Sequence, residues 1–200
     1  MKDIVMPLKN EKDFINMAKK LGFKELIFLY VQKNMFYKKK EDIKITNYLI
    51  ADEKKVQKDI RTFVKSPKDP RFAFEKSRPM CVFDLELQKK DFMHQRGSGF
   101  NHIMAKHANK NNICVGFSFS TILNADSVNR SKIIGRIKQN IKLCRKYKVN
   151  TVIASFAVNP WDMRAPKDLL TFFSVLGMHP REAKDSLNLS FKKKSLVELA

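Results

Sequence analysis

Hydrophobic and polar positions follow a helical period most clearly in residues 129–148, NRSKIIGRIKQNIKLCRKYK. Wound at about 100° per residue, the apolar side chains of this segment share one sector: Ile133, Ile134, Ile137, Ile141 and Cys144. The neighbouring flank holds Lys138, Lys142 and Arg145. The segment therefore predicts an amphipathic helix with one buried face and one positively charged face.

Apolar runs of strand length alternate with helical patterns along the rest of the chain. The predicted strands are residues 3–6, 25–31, 43–50, 72–74, 80–85, 113–119 and 151–157. The predicted helices are residues 11–21, 52–64, 99–109, 129–148, 166–175 and 180–187. Because the crossovers are long enough to hold helices, this order predicts a parallel sheet.

The run 113–119 (ICVGFSF) alternates bulky and small side chains. In a closed barrel wrapped by helices, the bulky set would face the helices and the small set would tighten the interior. We therefore predict an α/β fold, a TIM-barrel-like (β/α) barrel that is short and irregular, because 200 residues fall below the roughly 250 typical of eight units. A doubly wound open sheet is the alternative. We expect one barrel-like domain over residues 1–190 and a basic tail over 191–200.

The net charge of the chain indicates which class of partner it binds. The chain has 40 Lys and Arg against 20 Asp and Glu, a net charge of +20, and self-repulsion of this size favours a polyanionic partner. Residues 92–161 contain one acid, Asp126, which points to nucleic acid. A membrane-surface helix would carry Trp, Phe or Leu on its apolar face, whereas residues 129–148 carry mainly isoleucines. We expect no membrane contact.

The cysteines and the N-terminal residues indicate a cytoplasmic protein. Cys81, Cys114 and Cys144 are widely and unequally spaced, which fits neither a disulfide framework nor a CxxC metal pair, so we expect reduced thiols in the core. The first fourteen residues contain no apolar segment long enough for a secretory signal.

The sequence gives little support for catalytic residues. His94, His102, His107 and His179 form no HxH or HExxH pair. Asp84 and Glu86 are one residue apart near a strand end, which is slight support for acid–base chemistry. We therefore predict no catalytic residue and no metal site in this chain.

Basic side chains are the better candidates, and we predict that these contact RNA: Arg96, Arg130, Lys138, Lys142, Arg145, Lys146, Arg164 and Lys167. The loop Arg96-Gly97-Ser98-Gly99 is either a backbone nest that binds phosphate or a turn with Ser98 as the helix cap. Arg130 and Arg164 would lie at the C-terminal rim of the barrel. For Arg164, a salt bridge to Asp162 or Asp168 is the alternative.

The second half of the chain resembles the third protein component of archaeal ribonuclease P, the family of the 30-kDa subunit of the eukaryotic enzyme. The resemblance rests on SGFNHIMAKHANKNNICVGFSFS (98–120), Arg130, LCRKYKVNTVIAS (143–155), MRAPKDLLTFFSVLGM (163–178) and EAKDSL (182–187). It implies a TIM-barrel-like fold related in architecture to metal-dependent hydrolases, without their metal ligands. The lysine-rich segments of the first half depart from the family and leave the strand count there open.

The resemblance also implies a function. The chain would be a ribonuclease P subunit that binds the catalytic RNA, together with protein component 2 and other ribonuclease P proteins. It would support endonucleolytic removal of 5′ leaders from precursor tRNA, which it would meet indirectly. The RNA and its Mg²⁺ would perform the chemistry, and this chain would bind no cofactor. One alternative is a small metal-dependent barrel phosphoesterase of the histidinol-phosphatase-like type, and another is a general RNA chaperone.

Overall fold

A computed structural model of the chain describes residues 1–56, 61–87, 91, 93 and 96–191. Its strands are β1 (Lys2–Val5), β2 (Glu25–Tyr30), β3 (Lys44–Ile50), β4 (Thr62–Lys65), β5 (Cys81–Phe83), β6 (Cys114–Ser118) and β7 (Thr151–Ala154). Its α-helices are α1 (Glu11–Leu21), α2 (Pro70–Phe72), α3 (His102–Asn111), α4 (Phe119–Leu123), α5 (Ser127–Lys146), α6 (Pro166–Val175) and α7 (Pro180–Asn188). The alternation of strands and helices confirms the α/β class.

The sheet is parallel throughout, and each strand pairs with its neighbour in sequence, from β1 to β7. The first and last strands meet through a parallel bridge between Val5 and Ala157. Two backbone hydrogen bonds of 2.8 Å support this bridge, from Phe156 N–H to the Ile4 carbonyl and from Met6 N–H to the Ala157 carbonyl. The predicted TIM-barrel-like fold is therefore confirmed, with seven strands among the described residues, and the open-sheet alternative is excluded.

A buried carboxylate completes the closure between β1 and the end of β7. Asp3 accepts hydrogen bonds from the backbone N–H of Ser155 at 2.7 Å and from its hydroxyl at 2.6 Å. Asp3 is fully buried, and burial raises the pKa of its carboxyl from 3.8 to about 6, against the opposing effect of the Ser155 hydrogen bonds. We call this pair the Asp3–Ser155 clasp.

The predicted alternation along β6 is also confirmed. Val115 and Phe117 pack in the layer between sheet and helices, whereas Cys114 packs in the barrel interior. A Cβ at Gly116 would lie 2.7 Å from the Cβ of Phe83, so the position admits no side chain without movement. This close approach belongs to the interior stack of Phe83 and Phe156, whose ring centroids are 4.3 Å apart.

Three element predictions in the first half and centre are wrong. Thr62–Lys65, the end of the predicted helix 52–64, is strand β4, and residues 57–60 lie outside the described residues. The predicted strand 72–74 is helical, because Asp69 caps α2 by accepting from Phe72 N–H and Pro70 suits a first helical turn. Helix α3 begins at His102, three residues later than predicted, since Asn101 caps it.

All three cysteines belong to the described part of the chain and are buried as free thiols, as predicted.

Phe191, the first residue of the predicted tail, packs against Tyr48 of β3 and Phe63 of β4. Residues 192–200 lie outside the described residues. Among the described helices, none combines the length and the hydropathy that crossing a bilayer would require.

Candidate nucleic-acid interface

Helix α5 is anchored by its cap and its apolar face. The Asp126 carboxylate accepts from the N–H groups of Val128 and Asn129 at 3.1 and 3.0 Å. The buried apolar residues of the helix are Ile133, Ile137, Ile141 and Cys144, which pack in the layer between sheet and helices. The predicted amphipathic helix is therefore confirmed, two residues longer at its start and two shorter at its end.

The opposite side of α5 presents an exposed row of cations. Lys138, Lys142 and Lys146 are each exposed and are spaced four residues apart, so they lie one above another on the helix surface. Arg96 reaches the same side from the loop before α3, since its Nη1 donates to the carbonyl of Gly135 at 3.4 Å. We call these four residues the α5 stripe. Such a row of exposed cations can neutralise the phosphates of a nucleic-acid backbone.

Arg145 has structural partners that lie more than thirty residues further along the chain. Its guanidinium forms a salt bridge with Glu182 at 2.7 Å and donates to the Gly177 carbonyl at 2.5 Å. These contacts tie the C-terminal turn of α5 to the start of α7 and its preceding turn. The predicted RNA contact of Arg145 stays a prediction. In this structure the side chain already contacts two groups within the protein.

Arg130 supports the corner between α4 and α5. Its guanidinium donates to the carbonyls of Ile122, Leu123 and Ala125 at 3.0, 2.9 and 2.7 Å. These are carbonyls at and just beyond the end of α4, where a cation also complements the helix dipole. The guanidinium therefore contacts backbone carbonyls and does not enter the apolar face of α5. An RNA contact at Arg130 stays a prediction.

Arg164 lies against the first residue of α4. Its guanidinium is 5.5 Å from the Phe119 ring centroid and donates to the carbonyls of Trp161 and Met163 at 2.9 and 2.7 Å. Asp162 instead accepts from the Asn124 amide at 2.9 Å, and among the described ion pairs none joins Arg164 to Asp162 or Asp168. Arg164 and Arg130 thus border the same short helix, which follows the C-terminal end of β6, as the rim prediction requires.

Two further exposed side chains belong to this rim. Lys167 lies in the first turn of α6 and is exposed, so it remains available for the predicted contact. Trp161, the only tryptophan of the sequence, is 75% exposed. A single exposed tryptophan in a loop carries no pattern that predicts an RNA contact.

A buried polar network beneath α5 was also missed. Arg136 is 4% exposed, pairs with Asp91 at 2.8 Å and donates to the Glu86 carbonyl at 2.7 Å. Asn140 donates to the Glu86 carboxylate at 2.9 Å and to the Ser98 carbonyl at 3.0 Å. Burial raises the pKa of Glu86 from 4.5 to about 8. The available signal was the interruption of an apolar helix face by Arg136 and Asn140.

This network fixes the loop that carries Arg96. The N–H of Gly97 already donates to the Asp91 carboxylate at 2.6 Å, and this bond is the main reason that the pKa of Asp91 is lowered. The Gly97 N–H is therefore not available to a phosphate, as the predicted backbone nest would require. Ser98 as helix cap is wrong, since its hydroxyl donates to the Phe100 carbonyl and Asn101 caps α3.

The acids near β5 do not converge on a common site. Asp84 accepts from the Thr121 hydroxyl at 2.7 Å and lies 3.7 Å from the Lys65 ammonium, whereas Glu86 binds Asn140. His94 lies outside the described residues. In the described part of the chain, no group of three His, Cys, Asp or Glu side chains could hold a metal ion. The phosphoesterase alternative therefore has no candidate site there.

Fold and site together define a class: an α/β barrel whose described surface presents cations suited to nucleic acid. Comparison with known proteins gives the family. A family model described as RNase P subunit p30 matches residues 85–193, more than half of the chain. The chain belongs to the RNase P subunit p30 family, so the resemblance seen in the sequence is confirmed.

Individual relatives agree with this assignment. Ribonuclease P protein component 3 of Methanosarcina mazei is 34% identical over 113 residues, which cover 54% of this chain and 47% of that protein. The same component of Methanocaldococcus jannaschii is 23% identical over 205 residues, covering 92% of this chain and 86% of that protein. The aligned region thus spans about half the length of the first of these relatives.

A solved structure supports the fold. The chain superposes on a subunit of a structure described as archaeal ribonuclease P with mature tRNA, with a TM-score of 0.75. The match covers 94% of this chain and 87% of the other at 23% identity. At this identity the likeness establishes the barrel architecture.

Proposed function

We propose that this chain is a protein subunit of ribonuclease P that binds the catalytic RNA and supports removal of 5′ leaders from precursor tRNA. The observation that carries the proposal is the α5 stripe, which lies inside the segment that matches the family. An RNA backbone is the polyanion that relieves the self-repulsion of a chain with net charge +20.

In this function the protein supplies cations, and the RNA with its Mg²⁺ supplies the chemistry. Each Lys or Arg placed against a phosphate releases a counterion, so the RNA needs less Mg²⁺ to reach its active fold. Arg130 and Arg164 hold the α4 corner at the rim, and Lys167 adds an exposed charge beside it. The proposed protein partners are component 2 and the other ribonuclease P proteins, and the proposed location is the cytoplasm.

The test is reconstitution of the enzyme with ribonuclease P RNA and its other proteins, followed by cleavage of precursor tRNA across a Mg²⁺ series. The stripe variant carries three Lys→Gln substitutions at Lys138, Lys142 and Lys146. A matched control removes the same charge from exposed lysines elsewhere: Lys12, Lys54 and Lys68. Because three phosphate contacts are lost, the log–log salt slope of RNA binding should fall by roughly two to three in the stripe variant.

We expect the stripe variant to require more Mg²⁺ for cleavage and the control to resemble the unmodified chain. Normal cleavage by the stripe variant at low Mg²⁺ would remove the stripe from the RNA interface. Full activity without this chain would refute the proposed function itself. Arg96→Gln then tests whether the loop residue belongs to the same surface.

A further inference from the structure

A positively charged pocket lies at the N-terminal end of β1 to β4, the end opposite the rim with Arg130 and Arg164. Its volume is about 470 Å³. The charged residues that line it within the described chain are Lys2, Lys24, Lys44, Arg61 and Glu25. Four cations therefore face one carboxylate, and the pocket carries an excess of positive charge.

The sheet register brings these charges together. Lys2, Glu25 and Lys44 are the first residues of β1, β2 and β3 and are aligned directly across the sheet. Residues in register on neighbouring parallel strands point to the same face. The Glu25 carboxylate lies 3.3 Å from the Lys44 ammonium, so the one acid is already paired. Lys24 and Arg61 directly precede β2 and β4.

Lys2 is held in the pocket at an electrostatic cost. It is 8% exposed, and its ammonium donates to the Leu189 carbonyl and lies 5.1 Å from the Phe191 ring centroid. Burial lowers the pKa of Lys2 below its ordinary value, and the positive charge of Lys44 lowers it further, while Glu25 acts in the opposite direction. An anion bound beside Lys2 would offset this cost.

Aromatic rings form part of the pocket wall. The Arg61 guanidinium lies 5.2 Å from the Tyr48 ring centroid and donates to the Tyr48 hydroxyl at 2.9 Å. Phe191 meets the Tyr48 ring edge to face at 5.7 Å. Tyr48 and Phe191 are 4% and 7% exposed, so these rings shape the wall and contact Arg61 and Lys2 rather than offering a face on which a base could stack. The volume also falls within the range of about 300–1,000 Å³ seen for small-ligand pockets, which is larger than a lone phosphate needs.

We propose that this pocket binds one nucleotide of single-stranded RNA through its phosphate, so that the barrel contacts RNA at the N-terminal end of its strands as well as along the α5 stripe. The preference for a phosphate follows from the charges of the pocket alone. The choice of RNA as its source rests on the proposed function. No residue of the α5 stripe lines this pocket, so the two surfaces are separable by mutation.

The test measures binding of fluorescein-labelled hexauridylate by anisotropy at several KCl concentrations, in the stripe variant so that the stripe does not obscure the pocket. Lys24→Gln with Lys44→Gln is compared with Lys12→Gln with Lys54→Gln, and all four lysines are exposed. The pocket pair should lower the log–log salt slope by about 0.7, since the pocket holds one phosphate and each single-strand phosphate contact contributes about 0.7. The control pair should lower the slope by less than half of that amount. Equal slopes in the two variants would overturn the proposal.

A second readout locates the RNA. In ¹H–¹⁵N spectra, the amides of Thr46 and Ser190, which line the pocket, should shift on adding hexauridylate. Unmoved amides would overturn the proposal. Reversal of these shifts by an equal phosphate concentration of inorganic phosphate would also overturn it, because the site would then recognise free phosphate rather than RNA.

The two proposals fail differently. If reconstituted ribonuclease P does not need this chain, the proposed function fails while a slope change and moving amides still support a pocket for RNA. If the pocket and control pairs behave alike, the pocket fails while the reconstitution result stands.

Discussion

The Asp3–Ser155 clasp should make the stability of the barrel depend on pH. Asp3 has a pKa of about 6 in the folded chain against an ordinary value of 3.8. Because the folded pKa is raised, the folded state binds the proton more tightly than the unfolded state. The stability that Asp3 contributes is therefore fully present below about pH 4 and is lost as pH rises through about 6. The shift of about two pH units corresponds to about 3 kcal/mol.

Asp3→Asn removes this titration while keeping the shape of the side chain. The amide oxygen can accept from Ser155 N–H as the carboxylate does. The Ser155 hydroxyl can accept from the new amide group and donate to the Ile4 carbonyl, which already lies 3.4 Å away. The variant should thus gain about 3 kcal/mol relative to the unmodified chain between pH 4 and 7.

The assay is urea unfolding at pH 4, 5, 6, 7 and 8, followed by circular dichroism at 222 nm. Other buried carboxyls titrate in both proteins, so the difference between the two pH profiles isolates Asp3. Asp185→Asn is the matched control, because its side chain is 74% exposed. Parallel profiles for Asp3→Asn and the unmodified chain would refute the reasoning. Asp3→Ala should be less stable than Asp3→Asn by about 1–3 kcal/mol, since it leaves Ser155 N–H without its acceptor.

Three further outcomes follow from the described contacts. Gly116→Ala should lower the free energy of unfolding in urea by about 1–3 kcal/mol, because the new Cβ would meet Phe83 at 2.7 Å. Arg130→Ala should lower it by about 1–2 kcal/mol in thermal unfolding, since three carbonyls lose their donor; no change would show that water replaces the guanidinium. Glu86→Gln should gain up to about 5 kcal/mol relative to the unmodified chain between pH 4.5 and 8, because the raised Glu86 pKa makes the unmodified chain lose stability there. A pH-independent difference would contradict it.

Local patterns predicted the elements that carry their own signals. The run ELIFLY, the Gly22 cap after α1 and Pro166 at the start of α6 each act within a few residues, and each element forms where it was predicted. The residues around β4 were predicted as a helix because their apolar side chains occur at helical spacing. The same apolar residues also suit a strand that is buried on both faces, so the pattern alone does not distinguish the two. There the pairing of β4 with β3 and β5 decided the structure.

The candidate interface divides in the same way. The exposed lysines of α5 were predictable, because one helix places residues four apart on one side. The partners of Arg130, Arg145 and Arg164 were not, since a long cation selects among acceptors that only neighbouring elements provide. The segments that resemble the p30 family predicted the fold and the family from the sequence. They did not show which cationic side chains form contacts within the protein.

The sequence by itself determined the alternation of strands and helices, the excess of positive charge and the two faces of α5. Tertiary structure decided that the first and last described strands close the barrel, with Asp3 bound to a serine 152 residues away. It also decided that Lys2, Lys24, Lys44 and Arg61 share one pocket. The physical reason is range: propensity and periodicity act over a few residues, whereas closure and charge convergence depend on the register between strands that are distant in the chain.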